Sequence, residues 1–184
     1  SLLQGYDYYH LHTEYGCDLQ IGGSDQWSNI LAGVDFIRRK TSDTVYALTM
    51  PLIVDKTTGK KFGKSEGNAV WLNPEKTSPY TFYQFWLNTS DESVVDYLKL
   101  FTFMTLTDIA DIETEHTNNP GARVAQKRLA HEVTLFVHGE ENTIAVERVS
   151  AALFGEVSFT ELSSSEVLMV RENAPSCTAA KDTF

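Results

Sequence analysis

The sequence predicts an α/β half followed by an all-helical half. Two observations lead to this fold class. Between residues 19 and 50, two short apolar runs flank a stretch in which apolar residues recur at helical spacing, so strand, turn, helix and strand follow one another. From residue 78 onward, apolar residues recur at helical spacing between capping residues. Strand, turn and helix in this order are typical of a parallel sheet with ligand groups at the carboxyl ends of its strands.

The α/β half has four predicted elements and one loop. Apolar residues at helical spacing, followed by Gly16, indicate the first helix. Pro51 ends the last strand. The elements are a helix over residues 1–15, a short buried strand over 19–21, an amphipathic helix over 24–40, a strand over 45–50 and a glycine- and lysine-rich loop over 55–68.

Capping residues mark the helices of the second half. Two patterns are typical of a helix start. In one, a polar residue is followed directly by proline, and in the other it is followed three residues later by an acidic residue. Gly139 ends the fourth helix, and helices over residues 140–154 and 163–172 follow it. The predicted starts are Ser78 with Pro79, Thr89 with Glu92, Thr105 with Asp108, and Asn119 with Pro120.

The composition fits a water-soluble chain of one to two domains. The chain has 184 residues, of which 42% are hydrophobic and 11% aromatic, enough for a core. It contains no apolar run near the roughly 20 residues that a membrane span needs, and no charged and apolar leader opens it. We therefore expect a cytoplasmic protein without a membrane partner. Cys17 and Cys177 lie far apart and the histidines lack ligand spacing, so neither a disulfide framework nor a metal site is predicted.

The overall charge argues against a general nucleic-acid binder. The formal net charge is −10, whereas phosphate contacts require lysine and arginine. Basic residues nevertheless cluster in two places. The first cluster is Lys56, Lys60, Lys61 and Lys64, and the second is Arg123, Lys127 and Arg128. We expect the second cluster to be solvated surface charge.

The two most informative segments are residues 19–27, Leu-Gln-Ile-Gly-Gly-Ser-Asp-Gln-Trp, and residues 61–65, Lys-Phe-Gly-Lys-Ser. In the first, an apolar strand runs into two glycines, which let the backbone approach a ligand closely because glycine has no Cβ. Asp25 and Gln26 follow where a helix begins. In the second, lysines beside glycines form a cationic segment that could close over a triphosphate. Together the segments predict nucleotide chemistry on a small polar substrate.

The second segment also resembles the phosphate-binding loop of P-loop NTPases, because it contains Gly63-Lys64-Ser65. The spacing excludes that class. The motif requires four residues between its glycines, which would place the first glycine at Thr58, whereas the chain has Gly59.

These residues resemble the bacterial-type tyrosyl-tRNA synthetases, which are class I aminoacyl-tRNA synthetases. The resemblance covers most of the chain and fades after about Gly155. It rests on Gln4 and Asp7 in Leu-Gln-Gly-Tyr-Asp, on residues 19–27, on Lys-Phe-Gly-Lys-Ser as a form of the family's Lys-Met-Ser-Lys-Ser loop, and on Thr77-Ser78-Pro79-Tyr80 followed by Tyr83-Gln84-Phe85-Trp86.

The resemblance implies the activity of a tyrosine-tRNA ligase. Such an enzyme joins tyrosine to ATP, which enters with Mg²⁺, and then transfers the tyrosyl group to tRNA(Tyr). It implies no tightly bound cofactor and a homodimer at full length. Its implied tyrosine-binding residues are Gln4, Asp7, Gln20 and Gln26. Its implied ATP-binding residues are Gly22, Gly23, Asp25, Lys61, Phe62, Gly63, Lys64 and Ser65, of which Lys61 and Lys64 are the implied catalytic residues.

The resemblance implies that Asp7 binds the phenol hydroxyl of the substrate. A buried group that must hydrogen-bond a hydroxyl rejects the analogue that lacks it, and tyrosyl-tRNA synthetases are themselves a known example of this rule. Taken alone, Asp7 would be read as a solvated helix carboxylate, and the two glycines with Ser24 and Asp25 as an ordinary turn. The joint pattern favours the ligand-binding interpretation.

The resemblance also implies a domain organisation. Residues 1–75 would form the C-terminal half of a Rossmann-like catalytic domain, residues 76–157 a helical domain on the anticodon-arm side, and residues 158–184 a connector towards a C-terminal RNA-binding module. The family's upstream His-Ile-Gly-His type signature has no counterpart here, because His10-Leu11-His12 lies in a helical pattern without glycine. We therefore expect residues 1–184 alone to be inactive.

Two alternatives remain open from the sequence. The first is a ligase similar to tryptophanyl-tRNA synthetase, which shares an Asp-Gln after glycine and a lysine loop. The set of Gln4, Asp7 and Gln20 fits a site that binds the phenol and the amine of tyrosine better than a site for tryptophan. The second alternative is a non-catalytic binding fragment.

Overall fold

The structure is a computed structural model that describes residues 2–54, 56 and 70–173. It divides into two compact units, Ser1–Val54 and Asp55–Phe184. Within the described ranges, no helix combines the length and the apolarity that crossing a bilayer requires.

The first unit is a parallel strand–helix–strand arrangement preceded by a helix. Strands β1 and β2 pair in parallel from Leu19 opposite Tyr46 to Gly23 opposite Met50. This confirms the α/β prediction for the first half. The elements in chain order are α1 (Leu2–Tyr15), β1 (Leu19–Gly23), a 3₁₀ turn (Ser24–Gln26), α2 (Trp27–Thr41) and β2 (Tyr46–Met50).

Helices α1 and α2 cross at a point where both carry glycine. A Cβ at Gly5 would lie 3.3 Å from the backbone of Ala32 and Gly33, and a Cβ at Gly33 would lie 2.8 Å from Cδ1 of Tyr8. Tyr8 is fully buried, and its hydroxyl donates a hydrogen bond to the Tyr46 carbonyl at 2.8 Å. Burial raises the pKa of this phenol. One aromatic side chain therefore joins α1 to α2 and to β2.

The prediction that β1 is a buried strand is wrong. Leu19 and Ile21 are 47% and 55% exposed. Side chains alternate between the two faces of a strand, and α2 packs against β1 and β2 in this unit. Leu19 and Ile21 lie on the same face as Tyr46 and Leu48 of β2, which are also exposed.

The second unit is helical, as the sequence predicts. The long helix α6 lies at its centre and contacts α3, α4, α5 and α7. Its fully buried side chains include Leu129, Val146 and Val149. The helices are α3 (Pro79–Leu87), α4 (Asp91–Phe101), α5 (Leu106–Asn118), α6 (Val124–Leu153) and α7 (Ser164–Asn173), with 3₁₀ turns at Pro120–Ala122 and Phe159–Glu161.

Two of the predicted caps are confirmed by hydrogen bonds. The side chain of Ser78 accepts from the Thr81 N–H before α3, and the side chain of Thr105 accepts from the Asp108 N–H before α5. Gly139 interrupts the helical geometry of α6 with φ 81° and ψ 170°, where the sequence predicts a helix end.

The predicted capping box at Thr89 is wrong. Helix α4 begins one residue later, because Ser90 is its N-cap. The Thr89 carbonyl instead accepts a hydrogen bond from the fully buried Gln126 at 3.4 Å. This tertiary contact comes from α6 and is not visible in the local pattern.

His12 on α1 links the two turns that precede the strands. Its Nδ1 lies 3.0 Å from Asp18 Oδ1, and its Nε2 lies 3.2 Å from Asp43 Oδ2. Carboxylates only accept hydrogen bonds, so both contacts favour the protonated ring, in which both nitrogens donate. The hydrogen bond with Asp43 is the main cause that raises the pKa of His12. The pKa of Asp43 is lowered, first by the Thr41 side chain and then by His12.

The helix crossing predicts the effect of adding one methyl group. We expect Gly33→Ala to lower the free energy of unfolding by about 1–2 kcal/mol, because overpacking against the buried Tyr8 ring outweighs the roughly 1 kcal/mol by which alanine favours a helix. Urea denaturation measures this change. Ser28→Ala, an exposed site on the same helix, is the control and should stay within about 0.5 kcal/mol. Equal or greater stability of Gly33→Ala would show that the helices can separate freely.

The His12 pairs predict a pH window of stability. The contribution of His12, whose pKa is raised, is complete below its unfolded pKa of about 6.5 and is lost as the pH rises through the folded pKa. The contribution of Asp43, whose pKa is lowered, is present above about 3.9 and is lost as the pH falls through the folded pKa. The stability difference between wild type and His12→Gln should therefore be largest between about pH 4 and 6.5.

Denaturation series at several pH values measure this difference. His10→Gln, at an exposed position on the same helix, is the control and should give no such window. A difference that is constant from pH 4 to 9 would mean that His12 acts only by packing.

Candidate functional site

A small cavity lies where β1 runs into the 3₁₀ turn. Its volume is about 220 Å³, below the roughly 300–1,000 Å³ of sites for drug-sized ligands. It therefore suits a small polar group. It is lined by Gln4, Gln20, Ile21, Gly22, Gln26, Asn29 and Ile30.

Three side-chain amides form a hydrogen-bonded chain at this cavity. Gln26 Oε1 accepts from Asn29 Nδ2 at 3.0 Å and from Gln4 Nε2 at 3.4 Å. The first distance is typical of an N–H···O bond, whereas the second is near the outer limit. Within the part of the chain that the structure describes, the NH₂ group of Gln26 and the oxygen of Gln4 have no hydrogen-bond partner, so both can bind a ligand.

The two glycines at the end of β1 are required by close packing. A Cβ at Gly23 would lie 2.7 Å from both Asp25 Oδ1 and Leu52 Cδ2. A Cβ at Gly22 would lie 3.1 Å from Ile30 Cδ1 and 3.3 Å from Gln26 Cβ. Larger residues would therefore push Asp25 and Gln26 out of their places at the start of α2.

The structure brings together four of the residues that the sequence predicts for the site, namely Gln4, Gln20, Gly22 and Gln26. Gly23 and Asp25 lie next to them in β1 and the 3₁₀ turn but do not line the cavity. Asp7 is exposed and lies one helical turn from Gln4 along α1. The predicted Lys61, Phe62, Gly63, Lys64 and Ser65 lie outside the described residues.

Sequence reasoning missed Asn29 and Ile30. Asn29 stands three residues after Gln26 in the first turn of α2. Residues three apart on a helix are neighbours, so this spacing was the available signal. Ile30 is 3% exposed and forms the apolar wall behind Gly22.

Larger cavities in the second unit do not contain the predicted residues. One of about 410 Å³ lies at the start of α4 and another of about 290 Å³ lies between α3 and α6. Arg123 lines the first, and its guanidinium already donates to the Leu87 carbonyl at 2.6 Å. Arg128 pairs with Glu132 at 2.8 Å. The prediction of solvated surface charge therefore does not hold for Arg123, which stabilises the carbonyl end of α3, whereas Lys127 and Arg128 are exposed.

The amide-lined cavity offers binding groups rather than reacting groups. Neutral amides cannot act as nucleophiles or proton carriers at neutral pH. Donor and acceptor groups side by side suit a ligand that carries an acceptor and a donor close together. Among the described residues, no group of three or more histidine, cysteine, aspartate or glutamate side chains is arranged to hold a metal ion.

Comparison with known proteins relates the chain to one family. The family model described as "tRNA synthetases class I (W and Y)" matches residues 1–155. A tyrosine–tRNA ligase of Leuconostoc mesenteroides is 56% identical over 179 residues, which are 96% of this chain and 42% of that protein. A tyrosine–tRNA ligase 1 of Bacillus cereus is 49% identical over 184 residues, which are 99% of this chain and 44% of that protein. The chain thus spans less than half the length of these relatives.

A solved structure shows the same resemblance. The C-terminally truncated mitochondrial tyrosyl-tRNA synthetase of Aspergillus nidulans aligns with a TM-score of 0.65 at 33% identity. The alignment covers 83% of this chain and 45% of that one.

Proposed function

Because this chain belongs to the class I tRNA synthetases of the tryptophan and tyrosine type, we propose that it forms part of a tyrosine-tRNA ligase. The proposed reaction joins tyrosine to ATP and then passes the tyrosyl group to tRNA(Tyr). The amide chain of Gln4, Gln26 and Asn29 at the cavity is the observation that carries the proposal.

The donors and acceptors of the three hydrogen-bonded amides, Gln4, Gln26 and Asn29, fit an α-amino acid. A zwitterionic amino acid presents an ammonium group, which donates, next to a carboxylate, which accepts. The free oxygen of Gln4 can accept from the ammonium group, and the free NH₂ group of Gln26 can donate to the carboxylate. The cavity volume of about 220 Å³ supports binding of this head group.

Asp7 supports the choice of tyrosine within the proposal. It lies three residues further along α1 than Gln4, about 4.5 Å along the helix axis. A ligand whose ammonium group lies at Gln4 can extend along α1, so its far end approaches the Asp7 carboxylate. A phenol hydroxyl can donate to that carboxylate, whereas phenylalanine offers no donor.

The proposed chemical step needs no protein nucleophile. A carboxylate oxygen of tyrosine attacks the α-phosphorus of ATP, a new P–O bond forms, the bond to the bridging oxygen breaks, and pyrophosphate leaves with that electron pair. Orientation and charge neutralisation supply the rate in such a reaction. Gln26 would orient the attacking carboxylate, and Gly22 and Gly23 would let the nucleotide approach the backbone.

The proposal includes residues 61–65 as the contact with ATP. Lys61 and Lys64 would neutralise charge on the phosphates of ATP, which enters as its Mg²⁺ complex, and Phe62, Gly63 and Ser65 would complete that contact. Gln20 would line the tyrosine side of the pocket and Asp25 would approach the ribose. A cytoplasmic homodimer at full length completes the proposal.

Pyrophosphate exchange into ATP tests the proposed function. In the full-length protein that contains this sequence, we expect exchange that depends on tyrosine, with kcat/KM for tryptophan at least about 100-fold lower. A pocket shaped for a phenol neither fits the larger indole ring nor meets its N–H at the position of the phenol hydroxyl. Exchange that prefers tryptophan would favour the tryptophan-type alternative. No exchange with either amino acid would contradict the proposal.

A variant of Asp7 tests how the phenol is recognised. Asp7→Ala removes a charged hydrogen-bond partner, so kcat/KM for tyrosine should fall roughly 10- to 100-fold while that for phenylalanine changes little. Glu14→Ala, an exposed carboxylate on the same helix, serves as control and should leave both values unchanged. Equal losses for tyrosine and phenylalanine would make Asp7 a structural residue.

A further inference from the structure

The orientation of the Gln26 amide decides what this side chain can bind. A primary amide has two orientations of nearly equal shape, and turning it by half a rotation exchanges its donor and its acceptor. An oxygen directed at a carboxylate repels it, whereas an NH₂ group binds it. The protein therefore needs a contact that selects one orientation.

Asn29 makes such a contact, with its NH₂ end directed at Gln26. Its Nδ2 donates to Gln26 Oε1 at 3.0 Å, which is shorter than the 3.4 Å contact from Gln4. Asn29 is half-buried, lies in the first turn of α2 and lines the same cavity. Since it belongs to the same short segment as Gln26, it holds this distance without help from another element.

We infer that Asn29 is a positioning residue, which holds the NH₂ group of Gln26 towards the cavity and so sets the affinity for the carboxylate of an amino acid. This inference rests on the proposed function for its substrate. The hydrogen bond itself is a property of the protein alone. The contact from Gln4 is near the outer limit for a hydrogen bond, so it adds to this selection without being able to make it alone.

Two substitutions of similar shape separate positioning from packing. Asn29→Asp can only accept, so it draws the NH₂ group of Gln26 to itself and turns Oε1 towards the cavity. Asn29→Leu makes no hydrogen bond and leaves only the long contact from Gln4 to orient the Gln26 amide. In the full-length protein, KM for tyrosine should rise at least about tenfold in Asn29→Asp and only a few-fold in Asn29→Leu, with KM for ATP changed less than about twofold.

A purely structural role predicts the opposite order. Aspartate still bonds to the turned Gln26 amide, whereas leucine leaves it only the long contact from Gln4, so Asn29→Leu would then be the more damaging change. That order, or equal KM values for the two variants, would overturn the inference.

The charge of the introduced aspartate requires its own control. Asn29→Asp is therefore repeated in a Gln26→Leu background. We expect no further rise in KM for tyrosine there, because the effect acts through Gln26. A rise as large as in the wild-type background would mean that the new carboxylate repels the substrate directly, which would also overturn the inference.

A measurement without substrate separates this inference from the proposed function. The side-chain NH₂ signal of Gln26 is assigned in ¹⁵N-glutamine spectra by its loss in Gln26→Leu. Its proton signal should move downfield in Asn29→Asp, where it donates to a carboxylate, and not in Asn29→Leu. If wild type fails to activate tyrosine, the proposed function fails, and this spectrum still decides the role of Asn29. An unmoved signal in Asn29→Asp would contradict it.

Discussion

The close approach of α1 to α2 is the constraint on which the first unit depends. Gly5 and Gly33 remove side chains at the crossing, and the buried ring of Tyr8 fills the remaining space. Gln4 precedes Gly5 by one residue, so the same crossing sets its distance from Gln26, 22 residues further along the chain. A wider crossing would break that 3.4 Å contact first, because it is already at the limit of hydrogen-bond geometry. Packing between helices therefore determines the geometry of the polar site.

The use of neutral amides follows from the substrate proposed for the site. A zwitterion has no net charge, so a charged side chain would attract one end and repel the other. Amides offer a donor and an acceptor at lower desolvation cost than ions, and their binding depends little on salt. The cost is that an amide must be held in one orientation, which requires neighbours such as those around Gln26. Specificity at such a site resides in the direction of hydrogen bonds.

The sequence predicts those features whose causes are local. The caps at Ser78 and Thr105 depend on contacts within a few residues, and the structure contains them. The helix predicted over residues 24–40 begins at Trp27, after a 3₁₀ turn over Ser24–Gln26. The features that it missed depend on distant residues. Helix α4 starts at Ser90 rather than Thr89, where Gln126 of α6 contacts the preceding carbonyl. The exposure of one face of β1 depends on which elements pack against the sheet. The apolar residues of the strand do not by themselves predict which face is covered.

Many charged side chains among the described residues form ion pairs within the protein, whereas the amides of the cavity keep groups for a ligand. Several cations are already paired within the protein, as in Lys56 with Asp96, Arg128 with Glu132 and Arg148 with Glu166. The two more exposed pairs, Lys56 with Asp96 and Arg128 with Glu132, contribute little stability, about 0–1 kcal/mol each. All three pairs lower the positive potential available to phosphates. With a net charge of −10, binding of a polyanion must then depend on local unpaired lysines, and its strength must fall as salt rises. The proposed recognition of an amino acid by amides would avoid this dependence, so the two kinds of binding would respond differently to salt.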